Sequence, residues 1–422
     1  MTDFERFITE NAEADIPRLL LSCKDWPSEK ELAISTIEAR RKLRKKVPEW
    51  YSLTSLVYPS ALSAEQCSSS FTASYKASLA ARIVGSGGRV ADLTGGMGVD
   101  SWAFSKAVSQ VLYNEKDPSL AQAAGHNFQE LDVRNIRVSC REVSPSTLAS
   151  VVDGFGPDLI FMDPARRSED GGKVFLLEDC SPDVLRLVPG VFSCCRHLLL
   201  KLSPMADISM VVERLDRAYE GFLEKTRETG WNGSWVREIH VVSKGGECKE
   251  LLVWMDKEWN GGRTLTCVED SATMSFGSGE LSGSKPVFPD SAYGEYLFAP
   301  GKSITKAGAS NALCGKFPLV KLARSTHLFF LSPSADPSSV EALVPFGRIF
   351  KVMEVLPFNK ASVREVRSRY PRCEVSARNI PLSSDELRSR LGVGSGDEAF
   401  IFGARIELPF GAGNYLVACS RI

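Results

Sequence analysis

Between about residues 81 and 256, short apolar bursts alternate with longer stretches whose apolar residues recur at helical spacing. The bursts predict strands at Arg89–Leu93, Gln110–Asn114, Ile136–Cys140, Asp158–Asp163 and His197–Lys201. The stretches between them, such as Ser119–Leu131 and Asp183–Val188, predict helices. Strand and helix in alternation imply a parallel sheet wrapped by helices, with right-handed crossovers. The end of the region departs from this rhythm. "VREIHVVS" and "KELLVWM" are two β-rich runs joined by Lys244-Gly245-Gly246-Glu247, a spacing that suits an antiparallel hairpin. The expected fold class is therefore α/β, a parallel sheet closed by an antiparallel hairpin.

The flanks read differently. Residues 1–80 are predicted to be mostly helical. "SEKELAISTIEARRKLRKKVPEW" ends in the basic run Arg40, Arg41, Lys42, Arg44, Lys45 and Lys46 before Pro48. Such a run on a helix end is usually a solvated face that complements the helix dipole, and less often an RNA contact. Glu65 to Ile83 reads as a further helix. Residues 257–290 are rich in Gly, Ser and Thr, as expected for a linker or an inserted strand pair. A small α+β unit follows, with a separation expected near 331–347. The last segment predicts a strand (Arg348–Val355), a helix from Asn359 to Tyr370, a strand (Glu374–Arg378), a helix boxed by Ser383 and Glu386 and ended by Gly392, and strands Ala399–Ile406 and Tyr415–Ser420. Four regions result: 1–80, 81–256, 257–345 and 346–422.

Composition narrows the options. At roughly 100–200 residues per domain, 422 residues predict several domains. A formal net charge of −1 excludes a global field that draws the chain to nucleic acid or membrane, so any basic surface must be local. The 11 cysteines form no C-x-x-C pair, and the four histidines match no metal-ligand spacing. Free thiols in a reducing cytosol are the expected state, with no metal. The polar, acidic N-terminus does not resemble a signal peptide. No apolar run approaches the ~20 residues that span a bilayer.

The candidate chemistry lies at the strand ends. The first strand runs into "VADLTGGMGVD", where Asp92, Thr94, Gly95, Gly96 and Gly98 make a glycine turn before a helix. Such a turn aims backbone N–H groups at a ligand. Ser101 occupies the third glycine position of a dinucleotide fingerprint, so a nicotinamide enzyme is disfavoured. An acid inside the turn repels phosphates and attracts ammonium or sulfonium. Glu115 ends the second strand at the ~20-residue interval expected for an acid gripping a ribose diol. Glu142 lies just past the third strand. Asp163 and Pro164 end the fourth, "DLIFMDPARRSEDGGKV", and Arg166 and Arg167 follow at once. Acids at four consecutive strand ends exceed coincidence. Gln66 and Ser68 could also face a ligand, and Lys201-Leu202-Ser203-Pro204 could wall a pocket or merely end a strand.

"ADLTGGMGVD", "LYNEKDP" and "LIFMDPARR" resemble the cofactor and catalytic motifs of class I S-adenosylmethionine-dependent methyltransferases, over roughly residues 65–256. The resemblance implies a Rossmann-like methyltransferase sheet at 81–256, with the hairpin at 236–256 as its closing element. "YLFAPGKSITKAGASNALC" and "RNIPLSSDELRSRLGV" resemble a narrower bacterial group in which such a domain precedes a ferredoxin-like segment, here within 257–345, and a THUMP-like domain, here 346–422. The resemblance assigns Thr94 through Gly98 to the methionine part of S-adenosylmethionine, Asp92 to its ammonium, Glu115 to the ribose and Glu142 to the adenine. Asp163 and Pro164 would present the methyl acceptor, either as hydrogen-bond acceptors or with Asp163 as base. Amino-group methyltransferases often read Asn/Asp-Pro-Pro-Tyr/Phe there. Ala165 and Arg166 depart from that pattern, and Arg166 would stack on a base or pair with a phosphate. THUMP domains imply RNA, so the expected activity is cytoplasmic methylation of a base in structured tRNA or rRNA. The competing expectations are an RNA-binding protein that has lost catalysis and a protein or small-molecule methyltransferase. The arginines at 364, 367, 369 and 372 would contact phosphates or form a solvated face.

Overall fold

A computed structural model describes residues 1–22, 27, 29–166, 177–226, 234–291, 294–332 and 336–422. The chain divides into two compact units, 1–238 with 251–261, and 239–250 with 262–422.

Residues 1–261 hold β1 (Arg89–Asp92), β2 (Gln110–Asn114), β3 (Ile136–Ser139), β4 (Leu159–Met162), the short β5 (Ala165–Arg166) and β6 (Cys180–Ser181), β7 (His197–Leu202), β8 (Val236–Lys244) and β9 (Glu247–Asp256). The main sheet has nine strands: beyond the strands Ala272–Gly277 and Thr264–Glu269 at one edge, it runs β8-β9-β7-β4-β1-β2-β3. The pairs β4–β7, β1–β4, β1–β2 and β2–β3 are parallel, while β9 is antiparallel to β7. The expected antiparallel hairpin follows the parallel strands, its second strand beside β7 and its first strand next to the strand Thr264–Glu269. Gly245 and Gly246, both at positive φ, form its turn.

Every residue of β4 is buried, as its unbroken apolar run requires for a strand covered on both faces. Phe161 meets Phe104 edge-to-face at 5.2 Å. β3, at the sheet edge, is only partly covered. The crossover helices begin at caps visible in the sequence. Asp117 caps Pro118–Glu130 and Asp183 caps Val184–Cys194. β1 sits between β2 and β4, so successive connections leave its two sides in opposite directions. That reversal opens a crevice at the carboxyl ends of these strands.

The basic run at 40–46 is largely consumed inside the first unit. Arg40 donates to the carbonyls of Leu53 and Tyr51, and Arg41 to those of Ala12 and Ala14. Lys42 pairs with Glu65, Arg44 with Glu13, and Lys46 donates to the carbonyls of Ala64 and Glu65. These cations tie the N-terminal helices together, which accounts for the run without RNA.

In the second unit, residues expected to be a linker or a strand pair are a strand pair, β10 (Thr264–Glu269) with β11 (Ala272–Gly277). Then come β12 (Tyr296–Pro300), β13 (Leu319–Lys321), β14 (Phe329–Leu331), β15 (Gly347–Pro357), β16 (Glu374–Arg378), β17 (Phe400–Leu408) and β18 (Gly411–Arg421). They form one sheet in the order β13-β14-β12-β15-β18-β17-β16. The segment 331–347 therefore does not divide two sheets, because β12 pairs with β15. Alternation sorts the side chains to opposite faces. Phe400, Phe402, Ala404 and Ile406 enter one core with Val417, while Ile401, Leu416 and Ala418 enter another with Val366 and Leu387. The Ser383–Glu386 capping box and the left-handed Gly392 bound their helix as expected.

Candidate functional site

The carboxyl ends of β1, β2, β3, β4 and β7 surround a cavity of about 860 Å³. The segment from Thr94 to Gly98 forms one wall. The strand ends are laced together at this level. Gly95 N–H donates to the Asn114 carbonyl (2.8 Å), and Asp163 N–H donates to Thr94 Oγ1 (2.6 Å). The Asn114 amide donates to the Arg141 carbonyl at 3.0 Å.

Two glycines are required by contact or conformation. A Cβ on Gly95 would lie 2.2 Å from Cε2 of Tyr113, whose hydroxyl donates to the Gly96 carbonyl at 2.6 Å. Gly98 has φ +88°, and its Cβ would meet Phe128 at 2.6 Å.

Glu115 lines the cavity and accepts from Gly96 N–H at 2.8 Å and Asp117 N–H at 3.0 Å. Its carboxylate is thereby fixed beside the glycine wall. Glu142 also lines the cavity, as does Asp163, whose carboxylate pairs with the Lys201 ammonium. Lys201 thus belongs to the pocket rather than merely ending β7. Pro164 follows as the turn out of β4. Ala165 and Arg166 then pair antiparallel with Cys180 and Ser181, so the chain folds back over this side. The Arg166 side chain and all of Arg167 lie outside the described residues.

Asp92 is placed differently from its expected role. It is only 1% exposed and does not line the cavity. Its carboxylate accepts from Thr94 N–H (3.1 Å) and from the Ser101 hydroxyl (2.7 Å), pinning the glycine wall to the following helix. Burial pushes its carboxyl up to about 7, against the lowering effect of Ser101, and the charges of Asp100 and Asp163 add to the rise.

The acid that does face the cavity from this region is Asp100, which sequence reasoning missed. It accepts from the Ser68 hydroxyl at 2.8 Å and pairs at 3.2 Å with Lys76, a lysine with no exposed surface. Lys76 also donates to Ser68 at 2.9 Å. One signal was available: Lys76 shares a helix face with Ala73, Ala77 and Ala80, all buried, and a lysine in such company needs an acid. Ser68 and Gln66 do line the cavity. Cys67 lines it too, and burial pushes its thiol up to about 11, which disfavours the thiolate. Among the described residues, no group of three or more His, Cys, Asp or Glu converges as a metal site.

Comparison with known proteins then bears on the whole chain. The structure superimposes on a crystal structure from Porphyromonas gingivalis W83, of a protein provisionally named a methyltransferase. The TM-score is 0.81 and the identity 29%, over 99% of this chain and 97% of that one. Residues 347–421 match the THUMP domain-like family, and residues 296–334 match a ferredoxin-like domain family. The chain carries the class I methyltransferase fold, with a THUMP-like domain at its C-terminus. Two further likenesses are partial. An rRNA methylase from Streptococcus thermophilus is 10% identical with TM-score 0.28, over 43% of this chain and 94% of that one. A 16S rRNA N2 methyltransferase of T. thermophilus, in complex with AdoMet and guanosine, is 14% identical with TM-score 0.31, over 44% and 43%. No curated protein matches the sequence. In the methyltransferase fold, the cavity above lies at the carboxyl edge of the parallel strands. No helix among the described residues is long and apolar enough to cross a membrane.

Proposed function

We propose that the chain is an S-adenosylmethionine-dependent methyltransferase whose acceptor is a base in structured RNA. The observation that carries this reading is the convergence of Glu115, Glu142, Asp100 and Asp163 on one cavity beside the glycine wall. S-adenosylmethionine, when bound, supplies an electrophilic methyl group on a positively charged sulfur. The residues present fit such a cation, since acids line the cavity and Gly96 faces it with open space where a side chain would stand. Thr94 through Gly98 hold the amino-acid part. Asp100 meets its ammonium, and Asp92 acts from beneath by fixing the wall. Glu115 keeps the ribose hydroxyls and Glu142 the adenine.

Asp163 orients the acceptor by taking a hydrogen bond from it. That role suits it better than that of base, because the Lys201 ammonium already occupies one of its oxygens and competes with an incoming proton. The backbone turn at Pro164 presents a second acceptor. Alignment of this kind contributes about 7–11 kcal/mol when the attacking atom is held in line. RNA as substrate is supported by the THUMP-like domain and by the turned acceptor at the end of β4. Calorimetry with S-adenosylhomocysteine tests the cofactor, and incubation with labelled cofactor and RNA from a deletion strain tests the acceptor. No binding sinks the reading. Binding without transfer to RNA leaves either a non-catalytic RNA-binding protein or a methyltransferase for another acceptor.

A further inference from the structure

The second unit has a groove of its own, about 630 Å³, between the loop after β13, the turn after β16, and β17. Arg324 and Arg405 flank it, Ile380 and Pro381 form an apolar side, and Asn379 and Glu407 complete the lining. Its frame is fixed through backbone groups. Lys321, only 4% exposed, donates to the Arg324 carbonyl at 2.8 Å and to Asn311 at 2.9 Å. Glu407 accepts from Arg324 N–H at 3.1 Å, and its own N–H donates to the Leu322 carbonyl at 2.7 Å. Asn379 holds φ +57° at the turn.

What this frame presents is positive charge. Among the described residues, the guanidinium groups of Arg324 and Arg405 make no ion pair and no hydrogen bond, and neither does that of Arg378 beside Asn379. Glu407, which accepts from Arg324 N–H and keeps its charge, is the one acid among the lining residues, against two arginines. Two other arginines of this unit are committed. Arg369 pairs with Glu354 and Glu365, and Arg367 caps the Leu391 carbonyl. Rigid backbone with uncommitted guanidinium groups is the pattern of a surface kept for an anion. The open, shallow setting of exposed arginines around an apolar side suits a segment of polymer better than an engulfed small molecule.

We propose that this groove is a phosphodiester site that docks a single-stranded stretch of RNA, a phosphate on each guanidinium and a base against Ile380 and Pro381. The choice of RNA rests on the function proposed above. The test is fluorescence anisotropy of the full chain with labelled bulk bacterial tRNA across a salt series, with S-adenosylhomocysteine calorimetry in parallel. The doubly substituted Arg324→Ala, Arg405→Ala protein is expected to bind tRNA about tenfold more weakly or worse. Its slope of log affinity against log salt is expected to be shallower by about one to two units. Its affinity for S-adenosylhomocysteine should match wild type, and Arg348→Ala, exposed and outside the groove, should change neither. Unchanged tRNA affinity in the double variant overturns the site while leaving the methyltransferase reading intact. So does an equal loss in Arg348→Ala, which would mean diffuse charge. Adenosine monophosphate binding as tightly as tRNA overturns it in favour of a free nucleotide. Failure of wild type to bind S-adenosylhomocysteine, with tRNA binding still dependent on the groove, overturns the cofactor reading alone.

Discussion

Substituting Gly95 with alanine should damage the candidate cofactor cavity in a way that geometry dictates. The added Cβ would lie 2.2, 2.5 and 2.7 Å from three ring carbons of Tyr113. Carbon atoms settle at about 3.5–4.0 Å, so one side must yield by more than about 1 Å. Tyr113 has little room to do so. It is fully buried, meets Phe128 edge-to-face at 5.5 Å, and its hydroxyl holds the Gly96 carbonyl. The wall therefore moves instead, and with it Gly96 N–H, which Glu115 accepts. Overpacking of this kind costs about 1–3 kcal/mol in stability. The loss of affinity for S-adenosylhomocysteine should be larger in effect, at least about tenfold, because wall and Glu115 shift together. Isothermal calorimetry measures the affinity and urea unfolding the stability. Adding Tyr113→Leu should relieve the clash and restore part of the affinity to Gly95→Ala. Wild-type affinity in Gly95→Ala, or no rescue by the second change, would refute the placement of the wall against the ring.

Other outcomes follow from the same geometry. Asp92 has its folded carboxyl raised from 3.8 to about 7, so the folded state keeps a proton that the unfolded chain releases. Its contribution is full below the lower value and is lost as pH rises towards the upper one, an upper bound of about 4 kcal/mol. Asp92→Asn should therefore gain stability relative to wild type as pH rises through that window, and a flat difference in urea midpoints would contradict it. Asp163→Asn should lower methyl transfer to RNA by about a hundredfold while S-adenosylhomocysteine affinity stays near wild type, because it alters the acceptor's partner and not the cofactor's. A parallel loss of affinity would move Asp163 into the cofactor site. Asp256, fully buried, accepts from Arg196 at 2.9 and 3.1 Å and from Arg237 at 3.2 Å. Asp256→Ala should cost about 2–3 kcal/mol, below the cost of a fully buried orphan charge because both guanidiniums reach solvent; chemical denaturation with no loss would count against it.

β4 was legible because burial on both faces leaves an unbroken apolar run, and because Asp163 and Pro164 stop that run where the chain turns. The last helix was legible through Ser383, Glu386 and Gly392, whose roles are local. What was not legible depends on approach in space. Whether a strand-end acid points into the crevice or under the loop is set by the pleat and by the partner it finds, and Asp92 finds Ser101. The Asp100–Lys76 pair joins helices from separate segments, so no spacing rule reaches it. Likewise the arginines and lysines at 40–46 look like a nucleic-acid surface until the helices pack and offer them carbonyls.

The two layers of acid around the cavity suggest why a chain would gather so many carboxylates in one place. Four acids converging without compensation would repel one another and the fold would suffer. Two of those facing the cavity are held by lysines, Asp100 by Lys76 and Asp163 by Lys201, and Asp92 is screened from the cavity by the wall it supports. Glu115 is held by backbone N–H groups instead, which fix its direction without cancelling its full charge. Glu142 stands exposed at the rim. The charge that remains uncompensated is therefore concentrated on the β2 and β3 side, while the β1 and β4 side is ordered by ion pairs. Such a division suits a ligand whose hydroxyls and ring contact the first side, whose ammonium meets Asp100, and whose reactive methyl faces the acceptor held by Asp163. Exchanging Lys76 for methionine would upset it from the buried end, leaving Asp100 to ionise alone.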